Sequence, residues 1–311
     1  MTAVRIFAPF AEICVLCGQI PKAEIDMELL SPAKINLFLQ VTGKRPDGYH
    51  ELLMLMCCVS LYDTVSLEFG AENITVSCTA ADVPEDESNL AHRAASLFLK
   101  TLNRREGVNI CIEKRIPVAA GLGGGSSNAA TVLTGMNQHY GNPFSKSELM
   151  KLGLSLGADV PFFIFGKPAL ASGIGEKLEA YKKINPLKVL LIYPGFAVST
   201  ADVYKKINLR LTNCKKELKS FRFKEEGFEA DKDMCNDLET VTASQYPEIA
   251  EIKALIWDQG AEGVLMSGSG STVFGLFSDA DAAECARQSL QKGNIALRNS
   301  RWKIFLADLL I

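Results

Sequence analysis

Three consecutive glycines close the run Gly121-Leu122-Gly123-Gly124-Gly125, and Ser126-Ser127 follow at once. Ala129, Ala130, Val132, Leu133 and Met136 then carry an apolar helical pattern. A glycine turn running into a helix start presents backbone N–H groups with no Cβ in the way. The first helical turn adds unpaired donors and a partial positive charge. Together these make an anion-binding device. A flexible loop with serine caps is the rival reading, but three adjacent glycines weaken a chain unless something must come close.

The loop does not match the common phosphate motifs. A Walker A loop needs Gly-Lys-Ser/Thr, whereas Ser126-Ser127 follows the glycines, and Gly43-Lys44 is followed by Arg45. The dinucleotide fingerprint needs a glycine sixth from Gly121, where Ser126 stands. Neither serine sits in a Gly-x-Ser-x-Gly elbow, and the protein-kinase His-Arg-Asp and Asp-Phe-Gly triplets are absent.

The chain's 311 residues, 48% of them hydrophobic, can bury one large or two modest cores. A formal net charge of −3 argues against a nucleic-acid binder, which would carry a basic excess. Nine cysteines in no small-domain framework favour free thiols and a cytoplasmic setting. Cys14 and Cys17 form one Cys-x-x-Cys without a second pair, so core packing is the better reading than metal. No run of about 18 apolar residues predicts a membrane span. Residues 1–26 are fairly apolar but interrupted by Glu12, which makes a weak secretory signal. Met27 is expected to be the native start, with 1–26 a dispensable extension.

Alternation predicts strands at Ile35–Val41, Thr64–Phe69, Ile74–Cys78 and Val108–Glu113. Helices are predicted from Leu90 to Leu102, from the glycine loop to about Tyr140, and from the capping box Ser145–Glu148 to near Gly157. The apolar run Val160–Phe165 reads as a buried strand. Further on, Val189–Tyr193, Val264–Met266 and Val273–Phe277 read as strands, and Pro247–Gln259 and Ala280–Lys292 as helices. The charged stretch Lys215–Asp233 reads as a surface connection or helix. Grouped strands mixed with helices suggest α+β layers.

Three segments together resemble the superfamily of galactokinase, homoserine kinase, mevalonate kinase and phosphomevalonate kinase, the GHMP kinases. Pro117-Val118-Ala119-Ala120-Gly121-Leu122-Gly123-Gly124-Gly125-Ser126-Ser127-Asn128-Ala129-Ala130 resembles its ATP loop. Ser31 to Leu39 resembles its first motif, and Leu265 to Phe274 its third. Ala33-Lys34-Ile35-Asn36, Arg45 to Glu51 and Gly157-Ala158-Asp159-Val160-Pro161-Phe162 resemble the branch acting on 4-diphosphocytidyl-2-C-methyl-D-erythritol. The likeness runs in order over about residues 28–311.

The resemblance implies an α+β fold of two domains, placed here at 27–182 and 183–311, with the active site in the cleft between them. It implies ATP as co-substrate with Mg²⁺, and phosphorylation of that substrate's 2-hydroxyl in the non-mevalonate isoprenoid pathway. A sister kinase for homoserine or a mevalonate derivative, or a catalytically silent nucleotide-binding regulator, are the competing functions. Tyr49-His50 argues against the first, because those acceptors carry no base to stack or read.

By the same resemblance, Asp159 takes the proton from the acceptor hydroxyl; alone, it would read as a turn former. Lys34 pairs with it and steadies charge on the attacking oxygen. A lysine in an otherwise apolar strand needs such an anion, unless it snorkels at an edge. Asn36, two residues on, faces the same side of the strand and suits substrate orientation. His50 reads the cytosine edge, Tyr49 lines the cytidine pocket and Tyr204 stacks on the other face, although a core aromatic would look the same as Tyr204. Residues 117–127 hold the triphosphate, and Asn89 and Lys114 lie near adenosine. A helix cap is the rival for Asn89 and a solvated charge for Lys114. Ser127 is either a ligand of ATP-borne Mg²⁺ or a plain N-cap. Ala119 and Ala120 stand where relatives often have glycine, which bears on loop geometry. Ser267-Gly268-Ser269-Gly270-Ser271 either closes over phosphates or is a tight turn between strands.

Overall fold

The computed structural model describes residues 26–207, 226–292 and 300–311. Almost all of the 1–26 extension and the first part of the charged stretch Lys215–Asp233 lie outside them.

The chain opens with a long antiparallel pair, β1 (Met27–Lys44) and β2 (His50–Ala71). The predicted strands Ile35–Val41 and Thr64–Phe69 are segments of these two. The first half of β2 was not anticipated, because Leu52–Val59 is a continuous apolar run, buried on both faces. Such a run lacks the alternation that marks a half-buried strand. The register shifts between Pro32 and Ala33, Asn36 and Phe38, and Val41 and Gly43. Bulges of this kind bend a strand and re-aim its side chains. The connecting turn is tied by Arg45 N–H to Tyr49 O (2.7 Å) and by Tyr49 N–H to the Asp47 carboxylate (3.1 Å).

β2 also pairs with β4 (Gly107–Glu113), which is joined in parallel by β3 (Thr75–Cys78). Further along the same edge, the one facing away from β1, β2 pairs with β5 (Ala169–Gly173), which β6 (Lys177–Ala180) follows. β7 (Lys188–Tyr193) is flanked by β10 (Val273–Phe277) and the C-terminal β11 (Lys303–Leu310), and β9 (Gly263–Met266) extends β10. The end of β11 also pairs with Cys58 and Val59 of β2, so the last strand ties the two halves together. Short β8 (Cys235–Asn236) runs parallel to β1.

Helices α1 (Leu90–Thr101), α2 (Gly124–His139) and α3 (Lys146–Leu156) pack on the β2–β4 face. Phe98, Val132, Leu133, Met136 and Leu149 meet Val65, Leu67, Ile110 and Ile112 there. The expected capping box is present, with Ser145 and Glu148 exchanging hydrogen bonds at the start of α3. Val160–Phe165 is a correction: it is a short helix, α4, rather than a strand. Pro161 sits in its first turn, where a missing N–H costs nothing and the fixed φ suits the helix. Gly166 ends it with φ +66°. An apolar run of six could not separate the two states by periodicity.

The second half adds α5 (Thr200–Lys206), α6 (Ala230–Asp233), α7 (Glu239–Gln245), α8 (Glu248–Asp258) and α9 (Ala280–Lys292). Helices α8 and α9 and strands β7, β9 and β10 fall where the sequence predicts them, within a residue or so. Cys57, Cys58, Cys78, Cys111 and Cys285 are free thiols, whereas Cys235 is disulfide-bonded, against the expectation. Among the described residues no helix is long and apolar enough to cross a membrane.

Candidate active site

The glycine loop leaves β4 at Glu113 and enters α2 at Gly124. It is wedged between the two halves by backbone bonds. Lys34 N–H donates to Leu122 O (2.9 Å), Val198 N–H to Ala119 O (3.2 Å) and Thr272 N–H to Ala120 O (3.2 Å). Ser267 Oγ donates to Gly121 O (3.0 Å). A Cβ on Gly121 would lie 2.1 Å from Ser267 O, and its φ is +80°. Only glycine permits that approach. Ala119 takes φ +50°. A left-handed backbone costs an alanine roughly 1–2 kcal/mol. The loop therefore holds Ala119 in a conformation that a glycine would adopt without that cost.

A cavity of about 1150 Å³ runs along this loop. At one end stand Pro117 to Ala120, Gly123 to Ser126, Asn89 and Lys114. Lys34, Asn36, Asp159, Gly268 and Ser269 hold its middle. Tyr49, His50 and Tyr204 line the other end, and Thr200 Oγ1 meets Ser269 Oγ (2.7 Å). Single ligand sites usually occupy about 300–1,000 Å³, so this one lies just above the top of that range.

Lys34 and Asp159 face each other with Nζ–Oδ2 3.8 Å. Lys34 is buried, while the Asp159 side chain keeps 34% of its exposure and is open to a ligand. Lys34 Nζ also donates to Asn36 Oδ1 (2.6 Å), as two residues on one strand face should allow. Asn36 Nδ2 points to Met54 Sδ (3.4 Å). Asp159 stands between α3 and α4 in the N-cap position of α4, yet its side chain makes no cap hydrogen bond. The carboxylate is left for the cavity.

His50 begins β2 just after the turn, and its ring stacks on Tyr204 of α5 with centroids 5.3 Å apart and planes 24° apart. Burial lowers the His50 pKa, and the nearby Lys44 charge lowers it further. A neutral imidazole that can both donate and accept follows. Burial raises the Tyr204 pKa, with the Asp159 charge adding to the effect, so the phenol keeps its proton. Tyr49 stands open to solvent at the rim.

Four other sequence readings resolve as follows. Asn89 caps α1, accepting from Ala91 N–H (2.8 Å), and lines the cavity as well. Lys114 is not a solvated charge: it is buried against Asp63 and Asn128. Ser127 is not the N-cap of α2, a position held by Gly123. Its hydroxyl is buried and accepts from Ser31 Oγ (2.8 Å), so it faces that contact, and Ser126 rather than Ser127 lines the cavity. The Ser267–Ser271 segment is both a turn between β9 and β10 and a wall of the cavity.

Sequence reasoning missed Asp63, Asn128 and Asn236. Asn236 Nδ2 donates to Met266 O (2.8 Å) and Gly268 O (2.7 Å), and its Oδ1 accepts from Leu238 N–H (2.9 Å). Thr242 Oγ1 donates to Ser269 O (3.0 Å). These two side chains hold the 267–271 wall from behind. In the sequence they sit among charged and polar neighbours and carry no local sign of burial.

The family models for the GHMP kinases N terminal domain and the GHMP kinases C terminal region match residues 89–167 and 212–295. A curated relative from Syntrophotalea carbinolica, named 4-diphosphocytidyl-2-C-methyl-D-erythritol kinase, is 50% identical over 280 residues. The match covers 90% of this chain and 97% of the relative. The chain belongs to the GHMP kinases. Like other GHMP kinases it is an ATP-dependent small-molecule kinase with a two-domain α+β architecture and its site in the cleft between the domains. A solved 4-(cytidine 5'-diphospho)-2C-methyl-D-erythritol kinase superposes with a TM-score of 0.73 at 36% identity, over 91% of this chain and 99% of that one. Homoserine kinase from Cytophaga hutchinsonii shares the fold, with a TM-score of 0.71 at 18% identity over 94% and 97% of the two chains.

Proposed function

We propose that this GHMP kinase transfers the γ-phosphoryl group of ATP to the 2-hydroxyl of 4-diphosphocytidyl-2-C-methyl-D-erythritol, in the non-mevalonate route to isoprenoid precursors. The observation that carries the reading is the order of groups along one cavity. A glycine cradle lies at one end, a His50–Tyr204 stack at the other, and the Lys34–Asp159 pair between them. A kinase for homoserine or mevalonate has no use for the aromatic end.

In this reading the N–H groups of 117–127 and the first turn of α2 receive the triphosphate, with Asn89 and Lys114 beside the adenosine. His50 hydrogen-bonds the cytosine edge, and Tyr49 and Tyr204 hold the base. Asn36 orients the acceptor. Asp159 accepts the acceptor's hydroxyl proton as the oxygen attacks the γ-phosphorus, and the bond to the ADP oxygen breaks. The Lys34 ammonium, itself fixed by Asn36, offsets the charge developing on the attacking oxygen. A regulator without turnover would have no need of both groups.

Mg²⁺ belongs to this chemistry as a partner of the ATP phosphates, whose charge it neutralises. Among the described residues no group of three His, Cys, Asp or Glu is placed to hold a metal. Ser127 is buried beside Ser31 and does not line the cavity, so it does not reach a nucleotide-borne metal in this structure. The residues fit a metal carried by the nucleotide rather than a resident one. The division at 182/183, between β6 and β7, and a cytoplasmic setting complete the proposal.

The test is ADP release with ATP, Mg²⁺ and the cytidyl substrate, run beside homoserine, mevalonate and phosphomevalonate. Turnover confined to the cytidyl substrate is expected. Turnover with another acceptor would refute the cytidine end. Asp159→Asn should fold, since the side chain caps nothing, and lose about 10²–10⁴ in kcat. Near-normal turnover would remove Asp159 from the role of base.

A further inference from the structure

Behind the phosphate end of the cavity lies a buried polar cluster that the reaction scheme leaves unused. Asp63 sits on β2, opposite Ser31 of β1 and next to Thr64, which pairs with Glu113 at the end of β4. It is fully buried. A buried carboxylate is tolerated only when its oxygens are satisfied, and here four donors converge on it. Oδ1 accepts from the backbone N–H groups of Arg115 (2.8 Å) and Ile116 (2.9 Å). Oδ2 accepts from Lys114 Nζ and from Asn128 Nδ2, the latter at 2.9 Å.

The two oxygens act on two parts of the cradle. Arg115 and Ile116 are the residues through which the chain leaves β4 and enters the glycine loop. Lys114 is the ammonium at the head of α2: a Cβ on Gly124 would lie 3.0 Å from its Nζ. Asn128, one turn into α2, accepts a second Lys114 N–H at 3.2 Å and donates to Ser31 Oγ at 2.9 Å. Two of the three ammonium hydrogens are thereby fixed, and the third is left for the cavity that Lys114 lines.

We infer that Asp63 is a positioning residue for the nucleotide: it aims the Lys114 ammonium at the helix N-terminus and pins the start of the phosphate loop. The inference rests on the reading of this end as the ATP site. A merely structural ion pair would affect folding and leave nucleotide affinity alone. A positioning residue moves nucleotide affinity and leaves the acceptor end, on the far side of Lys34, unchanged.

Asp63→Asn separates the two contacts. The amide keeps one oxygen for the Arg115 and Ile116 N–H groups but turns an NH₂ toward Lys114. Calorimetric titration of the full chain with adenylyl imidodiphosphate and Mg²⁺ reads the outcome without any acceptor. We expect Asp63→Asn to weaken binding at least tenfold, Lys114→Met to weaken it similarly, and the pair to be no weaker than Lys114→Met alone. An affinity within twofold of the parent for a folded Asp63→Asn chain, or losses that multiply in the double variant, would overturn the inference.

Asp63→Asn leaves Lys114 buried without its counter-charge, a cost that can unfold the chain. The double variant leaves no unpaired charge and then carries the comparison. Binding equal to Lys114→Met supports the inference, and a further tenfold loss refutes it. The KM for the cytidyl substrate should stay within twofold in every folded variant that turns over. A parent chain that binds the nucleotide but does not phosphorylate the cytidyl substrate would defeat the proposed reaction while leaving this titration readable.

Discussion

A methyl group on Gly125 would separate the folding role of the glycine loop from its ligand role. Gly125 is the second residue of α2, has no positive φ and lines the cavity. The nearest atom to a Cβ built there is Leu90 Cδ1 at 3.6 Å, an ordinary contact. Nothing in the fold needs a glycine at this position. Glycine in a helix costs roughly 0.5–1 kcal/mol against alanine. Gly125→Ala should therefore stabilise the chain by about that amount, which is a rise of about 1–4 °C in Tm for a protein of this size. If triphosphate oxygens approach the N–H groups of this turn, the same methyl stands in their way. The KM for ATP should rise at least tenfold while the KM for the acceptor stays put.

Gly121→Ala is the contrasting perturbation. Its Cβ would meet Ser267 O at 2.1 Å in a left-handed backbone. An ordinary contact needs about 3.4 Å, so the loop or the opposite wall must move by roughly 1.3 Å, and displacement on that scale can cost about 100-fold in rate. Here Tm and kcat/KM should fall together. Differential scanning fluorimetry and initial rates over an ATP series measure both variants. A Gly125→Ala chain that is stabilised and still has the parent's KM for ATP would refute the claim that phosphates sit on this helix start. A destabilised one would refute the assignment of Gly125 as structurally free.

Asn236→Ala and Asn236→Asp should each lower Tm, because the buried carbonyls of Met266 and Gly268 lose their donor, at roughly 1–3 kcal/mol. The aspartate is nearly isosteric but brings no N–H, so an Asn236→Asp chain with the parent's Tm would contradict the contact. The lowered pKa of His50 keeps the imidazole neutral where a free one begins to charge. On acidification the KM for the cytidyl substrate should stay flat through pH 6.5, the usual imidazole value of about 6.5, and rise only below it; His50→Gln should remove that rise. A rise centred at or above 6.5 would refute this reading. The same shift means that the unfolded chain takes up the proton first, so the His50 contribution to stability is lost as pH falls below about 6.5. Burial pushes the Cys58 thiol up to about 12 and Cys57 higher still. Native iodoacetamide labelling at pH 8, mapped by peptide mass, should mark exposed Cys111 and Cys285 and spare Cys57 and Cys58. Labelling of the buried pair without denaturant would contradict their burial.

What could be read from the sequence was what is encoded locally. The cradle announces itself because its function lies in consecutive backbone N–H groups, and only consecutive glycines followed by a helix pattern supply them. Lys34 and Asn36 were legible as a pair because two residues on one strand share a face, and the capping box of α3 because its partners lie three residues apart. The resemblance, not the spacing, supplied Asp159 and the aromatic end. The α4 error arose where six apolar residues fit either state. Only the position of Pro161 in a first turn distinguishes them, and a first turn is visible only when the boundary is known. β5 and β11 went unseen for a related reason: each is defined by the strand it meets, more than a hundred residues away for β2 with β5 and more than two hundred for β2 with β11.

Asp63 and Asn236 mark where this limit lies. Each is a polar residue whose role is to satisfy backbone or side-chain groups of a distant segment: Asp63 those of 114–128, and Asn236 those of 266–268. Neither spacing nor composition distinguishes such a residue from a solvated one, since the distinction is burial, and burial is a property of the assembled fold. The residues that touch ligands and the residues that aim them are therefore legible to different degrees. The first belong to short motifs that must present several groups at once. The second need only one side chain in one place, reachable from many positions in a chain. Lys114 shows the consequence directly. Its sequence supports a solvated charge as well as a ligand contact, and the choice between them is made by a carboxylate 51 residues upstream.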